Sequence, residues 1–311
     1  MPDYELMLDA YSKAGGVPAV FKDSDVAHLV VHRNKVIGSH LIPGLVLTPK
    51  ETETGVNIDF RVEKGVKIER PVHLCFGIIP KEGIQEINIK ASVQDGAGVK
   101  LLAHCVFPNA VKVIHKMQAD ITIGDNAYYE YNEVHFHGDT GGVEVIPRAR
   151  VKVGRHSRLV TNFSLVHGRV GTFDLDYDTE VLDDSVLEMT ARVYGYGDDL
   201  IKIREAGRLI GANSRGLIKS RVAVKDNAQS EIINELTATA PHARGHVDCI
   251  EVIQGRARAQ AIPIVNVTHE LAKVTHEAAI GSVDKKQVET LMARGVEEEK
   301  AIDIVVSGLL K

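Results

Sequence analysis

Two short segments near the end of the chain combine residue types that could bind a transition metal. The first is His246-Val247-Asp248-Cys249, and Thr275-His276-Glu277 follows within about thirty residues. Thiolate, imidazole and carboxylate groups together suit iron or zinc. Their spacing matches neither a zinc ribbon nor an HExxH site. On spacing alone, a buried cysteine beside polar capping residues is therefore the better interpretation.

A second group of candidate ligands lies in the middle of the chain. Tyr131, Glu133, His135 and His137 are two residues apart and therefore share one face of a predicted strand. A His-x-His pair beside a carboxylate resembles the first motif of cupin-type enzymes, but there the carboxylate follows sooner and a second motif is present. We predict an exposed polar strand face at an interface, and keep a metal site at Glu133, His135 and His137 as the alternative.

Charge and composition argue against several classes of protein. The net charge of −5 disfavours nucleic acid or an anionic membrane as the main partner. No run approaches the ~20 apolar residues of a membrane span, and the acidic N-terminus is unlike a signal peptide. Three cysteines in 311 residues are too few for a disulfide framework and indicate reduced thiols. We expect a cytoplasmic protein, and the sequence contains no GxxxxGK[ST] loop for nucleotide hydrolysis.

The elements that must position these groups are predicted to be strands. Apolar and polar residues alternate from about residue 27 to 267, with no long helical pattern between the runs. Turn signals at residues 96–98, 124–127, 154–157 and 183–185 recur about 28–30 residues apart, within the range of repeat architectures. A β-sandwich would show turns every ~8–12 residues. The pattern favours a β-solenoid, in which each coil stacks on the last.

Helical patterns are confined to the two ends of the chain. A short N-terminal helix is predicted before Gly15-Gly16, and a pair of helices after Gly281, where Asp284 begins the first of them. The second carries an apolar stripe at Ile302, Val305, Val306 and Leu309. This stripe has more apolar surface than two short helices need to pack on each other. We therefore divide the chain into a lead-in at 1–24, a solenoid core at 25–275 and a helical region at 276–311.

The C-terminal run resembles the SufB/SufD family of iron–sulfur cluster assembly proteins. It reads THEAAIGSVDKKQVETLMARGVEEEKAIDIVVSGLL from Thr275 to Leu310, and the family closes with a similar H-E-A or H-G-A segment and two helices. The stretch YNEVHFHG…GGVEVIPRARVKV…GRVG is similar to the smaller archaeal-type members. The resemblance covers about residues 25 to 311. It implies a right-handed parallel β-helix core with helical ends.

Site residues follow from the resemblance only where positions match. Glu277 matches a carboxylate implicated at the cluster site of SufB, and His276 matches the histidine implicated in SufD. The cysteine implicated in SufB aligns with Asp248, one residue before Cys249. We therefore predict that the Asp248–Cys249 pair, with His246 nearby, forms the cluster-binding set together with His276 and Glu277.

The resemblance also implies a role. The chain is expected to be a scaffold rather than an enzyme, to hold an iron–sulfur cluster transiently and to pass it to apo iron–sulfur proteins. Expected partners are a SufC-like ABC-type ATPase, docked on the C-terminal helices, and a second subunit in a homodimer or a SufB/SufD-type heterodimer. Two alternatives remain, a cupin-like metal-dependent enzyme and a β-helix enzyme acting on polysaccharide. The lack of tryptophan and of a secretion signal argues against the second.

Overall fold

The computed structural model describes residues 3–310; residues 1, 2 and 311 of the predicted terminal segments lie outside the described residues. The chain is mostly β, with 58 % strand and 12 % helix. Its helices are α1 at Asp3–Lys13, a 3₁₀ turn at Pro18–Lys22, α2 at Lys285–Met292 and α3 at Glu298–Leu309. Within residues 3–310, no helix is long and apolar enough to cross a membrane.

Nineteen strands lie between these helices in the described part of the chain. They are β1 His28–His32, β2 Lys35–His40, β3 Leu45–Glu51, β4 Gly55–Val62, β5 Val72–Gly77, β6 Glu82–Val93, β7 Gly98–Phe107, β8 Lys112–Ile123, β9 Tyr128–His137, β10 Val143–Val153, β11 Arg158–His167, β12 Gly171–Val181, β13 Val186–Gly195, β14 Leu200–Leu209, β15 Arg215–Val224, β16 Gln229–Ala238, β17 Arg244–Ile253, β18 Arg258–Val267 and β19 Lys273–Gly281.

The strands form a β-solenoid of about 8 turns, which confirms the predicted fold. One sheet, here called sheet A, has the order β19-β17-β15-β13-β11-β9-β7-β5-β1-β2, and sheet B has the order β18-β16-β14-β12-β10-β8-β6-β4-β3. From β4 onward each coil gives one strand to each sheet, and the neighbours are parallel. Among the strands of residues 3–310, only the first hairpins, β1–β2 and β3–β4, are antiparallel. This topology excludes both the antiparallel sandwich and the cupin-like alternative, whose double-sheet jelly roll is antiparallel.

Stacking follows from the alternation of residues along each strand. Inward positions in successive coils fall on top of one another, as in the column of Ile123, Val153, Val181 and Leu209 along sheet B. These four side chains are buried, and side chains of this size fill the narrow interior. The outward positions carry charged residues that pair between coils, such as Arg148 with Asp174 at 2.7 Å.

The predicted turns lie at stacked corners of the solenoid. Asn126, His156 and Asp184 each adopt a left-handed backbone with φ of 53–56°, a region in which Asn, Asp and His are enriched among non-glycine residues. The corners are tied together by serine hydroxyls, with Ser157 Oγ accepting from Ala127 N and Ser185 Oγ accepting from Ser157 N, both at 3.0 Å. These bonds span 30 and 28 residues, so one coil is about as long as the sequence spacing indicated.

The terminal helices pack on the outside of the solenoid. Met7 and Tyr11 of α1 cover the outer face near Cys75. Asp284 caps α2, its side chain accepting from the backbone N–H groups of Lys286 and Gln287. In α3, Val306 is buried against Ala223 of β15, with Ile302 at the edge of the same cluster. Part of the predicted apolar stripe is therefore used within the chain rather than left for a partner.

Candidate functional site

The last two strands of sheet A bring the predicted ligands to one end of the solenoid. In the parallel pairing of β17 with β19, Asp248 lies beside Glu277 and Val247 lies beside His276. Partners in adjacent strands are about 4.8 Å apart. His246 also contacts the final strand, because its Nδ1 is 2.8 Å from the hydroxyl of Thr275. Residues separated by nearly thirty positions thus become neighbours across one coil.

Strand alternation divides this set between two faces. Cys249 points into the solenoid, and His276 extends the same inward row, because its partner Val247 is buried. Asp248 and Glu277 belong to the outward row together with His246. His276 and Glu277 are exposed, since β19 has no further coil above it. The end of the solenoid therefore presents an imidazole and a carboxylate on an open rim.

Asp248 is engaged by a cation of the preceding coil. Arg221 of β15 donates from both terminal nitrogens to the Asp248 carboxylate, at 2.9 and 2.5 Å. This charge-assisted pair holds the pKa of Asp248 below its usual value, even though partial burial opposes the effect. The carboxylate is already well satisfied, which leaves Cys249 as the less committed member of the pair.

Cys249 is only 1 % exposed. Burial, with a smaller contribution from the carboxyl of Glu251, raises its thiol pKa to about 12. A thiol of this kind becomes a metal ligand only when a bound cation displaces its proton. The register partner of Cys249 on the last strand is Ala278, which is a small residue.

The two sheets differ at this open end. Arg258 N at the start of β18 and Thr268 N just after its end donate to Ala228 O and Ala238 O, respectively, on the side of β16. Alternate residues of a parallel strand donate to the same neighbour, so the nitrogen of Pro263 lies on the free edge, where it has no hydrogen to donate. The free edge of β18 is therefore interrupted. Strand β19 contains no proline and keeps the row of backbone donors and acceptors along its free edge.

Sequence reasoning missed a group of buried polar residues beneath Cys249. Ser220 of β15 is the partner of Cys249 in the preceding coil, and its hydroxyl accepts from Asn234 Nδ2 at 2.8 Å. Glu251 Oε2 accepts from the hydroxyl of Ser230. Glu205, beside Asn234 in register, is 1 % exposed and its Oε2 has no hydrogen-bond partner among the described residues. The 28–30-residue period could have revealed two of these pairs, Ser220 with Cys249 and Glu205 with Asn234, because each joins residues one coil apart. The hydrogen-bonded pairs Asn234–Ser220 and Ser230–Glu251 are 14 and 21 residues apart and do not follow from that period.

Glu205 makes stability depend on pH. Burial raises the pKa of this carboxyl from 4.5 to about 8, so the folded chain keeps a proton that the unfolded chain has released. The contribution of Glu205 to the free energy of unfolding is expected to fall as pH rises from about 4.5 to 8, by about 1 kcal/mol per pH unit. Glu205→Gln, neutral throughout, should lack this contribution, so its free energy of unfolding in urea should rise relative to that of wild type over this pH range, whereas that of the exposed Glu82→Gln should not. An unchanged slope in Glu205→Gln would contradict the assignment.

The prediction of an exposed face at Glu133, His135 and His137 is wrong. Strand β9 turns all three into the solenoid, where each is at most 2 % exposed. Alternation shows which residues share a face but not which face lies inside. The outward residue Phe136 is covered by the cluster beneath α1, so both faces of β9 are partly buried here. The carboxylate and imidazoles therefore lie inside the core.

The chain is similar to known proteins over nearly its whole length. Residues 81–309 match the SufBD core domain of the SUF system of FeS cluster assembly. A SufBD family protein of Methanocaldococcus jannaschii is 36 % identical over 294 residues, covering 93 % of each chain. One from Pyrococcus horikoshii is 32 % identical over 308 residues, covering 99 % of this chain and 94 % of its own. SufD of Bacillus subtilis is 23 % identical over 266 residues, covering 80 % and 57 %.

Proposed function

Because the chain belongs to the SufBD family of iron–sulfur cluster assembly proteins, we propose that it is a scaffold subunit that holds a nascent cluster at the C-terminal end of its solenoid. The observation that carries the proposal is the position of Cys249, His276 and Glu277 on the adjacent strands β17 and β19. A mixed thiolate, imidazole and carboxylate set binds a cluster less permanently than four thiolates. A scaffold needs this weakness in order to release the cluster to apo-proteins.

One copy provides too few ligands, so we place the cluster between two copies. The uninterrupted edge of β19 is suited to pair with its own counterpart, whereas Pro263 interrupts the edge of β18. A two-fold axis at β19 would set the exposed His276 and Glu277 of one copy opposite those of the other. Movement of β19 on pairing would also alter the surroundings of Cys249, because its register partner Ala278 belongs to that strand.

The C-terminal helices are the proposed docking surface for an ABC-type ATPase of the SufC class. The sequence lacks a P-loop, so nucleotide hydrolysis would belong to that partner. Between α2 and α3 lies an open groove of about 900 Å³, lined by Leu291, Ile304, Val305 and Leu309 among others. The helices rest on sheet A next to β17 through Val252 and Val306. A conformational change in the ATPase would therefore be transmitted through these helices to the proposed cluster site. We expect the assembly to work in the cytoplasm.

Anaerobic reconstitution tests this function. The full chain is incubated with ferrous iron and sulfide, separated by size and examined for visible absorption. The proposal predicts that cluster absorption elutes with the dimer. A protein that acquires no cluster under these conditions, while remaining folded, would contradict the scaffold role.

A further inference from the structure

A second group of possible metal ligands is enclosed within the solenoid, on the inner face of sheet A. Cys105 of β7 lies beside His135 of β9 in the parallel register, one coil apart. Glu133 Oε1 is 3.6 Å from Cys105 Sγ and 2.8 Å from His135 Nε2. The three ligand atoms lie within 4.8 Å of one another, and the three residues are at most 2 % exposed. Such spacing is that of side chains arranged around one small ion.

A chain of hydrogen bonds fixes which nitrogen of His135 faces Glu133. His137 Nδ1 is 3.3 Å from the backbone carbonyl of Arg169, which can only accept, so this nitrogen carries the proton. His137 Nε2 is then an acceptor, and His135 Nδ1, 3.1 Å away, must donate to it. In the neutral ring the lone pair of His135 Nε2 therefore points at the Glu133 carboxylate. A cation or a shared proton has to lie between these two acceptors.

Other polar atoms near Glu133 and His135 lack hydrogen-bond partners among the described residues. Glu133 Oε2 and both ring nitrogens of His115 have no hydrogen bond within residues 3–310. The His115 ring centroid is 6.0 Å from that of His135. Buried polar atoms without a hydrogen bond lower the free energy of unfolding. An apolar residue would avoid this loss, as Leu165 does at the position of β11 that is paired with His135. Packing alone does not account for these residue types.

We propose that Cys105, Glu133 and His135 bind one divalent transition-metal ion of the zinc or ferrous-iron class. Thiolate, imidazole and carboxylate favour these ions over magnesium or calcium. Ligand atoms around a tetrahedral zinc are about 3.3–3.8 Å apart, so Glu133 and His135 would separate by about half an ångström. The His135–His137–Arg169 chain orients the imidazole as outer partners of metal sites do. His115 is the candidate for the fourth position.

This ion would be distinct from the cluster at the C-terminal end. In sheet A, β9 and β19 are separated by five strand spacings, about 24 Å at the usual distance between strands. Because the site lies inside the solenoid, the ion could not pass directly to a partner subunit. The ion would cross-link β7 and β9 inside the solenoid, and we expect it to enter as the chain folds.

Refolding with a spectroscopic metal tests the proposal. The full chain is unfolded in urea with a chelator, which strips bound metal. The chelator is removed, and the chain is refolded anaerobically with Co²⁺ and separated from free metal. Wild type should retain one equivalent of Co²⁺ and show a thiolate-to-cobalt charge-transfer band, which Cys105→Ala should lack. Glu133→Gln should fold normally, because its amide can donate to His135 Nε2, yet bind Co²⁺ at least about tenfold more weakly. Competition between Zn²⁺ and Fe²⁺ would then identify the preferred ion.

Two control variants separate this site from other cysteines. Cys75→Ala removes a thiol that is equally buried but lies on the outer side beneath α1, so this variant should keep the band. Cys249→Ala should also keep it, even if it loses the proposed cluster. The proposal is overturned if wild type retains no more Co²⁺ than Glu133→Gln, in which case a shared proton alone joins Glu133 to His135. Survival of the band in Cys105→Ala would overturn it equally.

Discussion

Cys249→Ala is expected to fold and dimerise but to lose a reconstituted iron–sulfur cluster at least about tenfold faster than wild type. Cys249 is the one thiol on the last two coils, since Cys75 lies in β5 and Cys105 in β7. Thiolates are the strongest iron ligands in the proposed set, so the remaining imidazole and carboxylate groups would hold the cluster only weakly. The stability cost of this small buried change is about 1 kcal/mol. Visible absorption after removal of free iron measures the loss.

Matched variants make this result specific. Cys75→Ala should keep the cluster, because it removes a buried thiol at the other end of sheet A. Glu277→Ala and His276→Ala should weaken retention without affecting folding, since both side chains are exposed. If Cys249→Ala and Glu277→Ala retain cluster as wild type does, the cluster is held elsewhere.

A double replacement in the groove of the C-terminal helices, Ile304→Glu with Leu309→Glu, is expected to abolish co-purification with a SufC-class ATPase. Ile304 is 44 % exposed, and both residues line the groove between α2 and α3. Burying two carboxylates against an apolar partner surface would weaken binding at least about a hundredfold. Val306 is left intact because it anchors α3 on Ala223. Affinity capture with the tagged ATPase measures the effect.

The control for this prediction is Ser307→Glu, which adds the same charge to an exposed position of α3 that does not line the groove. This variant should bind the ATPase normally. Deletion of the residues after Gly281 should remove binding as well while the solenoid stays folded. Retained binding by the groove variant or by the deletion would show that the ATPase docks on another surface.

The solenoid was predictable because its neighbours in space are one period apart in sequence. Alternation gave the strands, and the turns at residues 124–127 and 154–157 gave the coil length that the corner bonds of Ser157 and Ser185 later show. The same logic accounts for the proximity of Asp248 and Glu277. In a fold of this kind, contacts follow from counting residues along the chain.

Other features could not be obtained in this way, because a sequence pattern does not show what covers a surface. The row of Glu133, His135 and His137 is polar, yet the cap made by α1 covers the opposite face, so the polar row lies inside. The stripe of α3 is apolar, yet Val306 is used against Ala223 rather than offered to a partner. Both outcomes depend on long-range packing of the terminal helices.

The decisive measurement is the iron and sulfide content of separated monomer and dimer fractions after anaerobic reconstitution of wild type and Ala278→Pro. Lys273 N donates to Ala243 O at 2.9 Å, so the alternate N–H of Ala278 lies on the free edge of β19. Proline there removes an outward donor without breaking a bond to β17. Wild type should carry about one cluster per two chains in the dimer fraction, and Ala278→Pro should elute as a monomer without cluster. Equal cluster content in monomeric Ala278→Pro would contradict a cluster held between two copies.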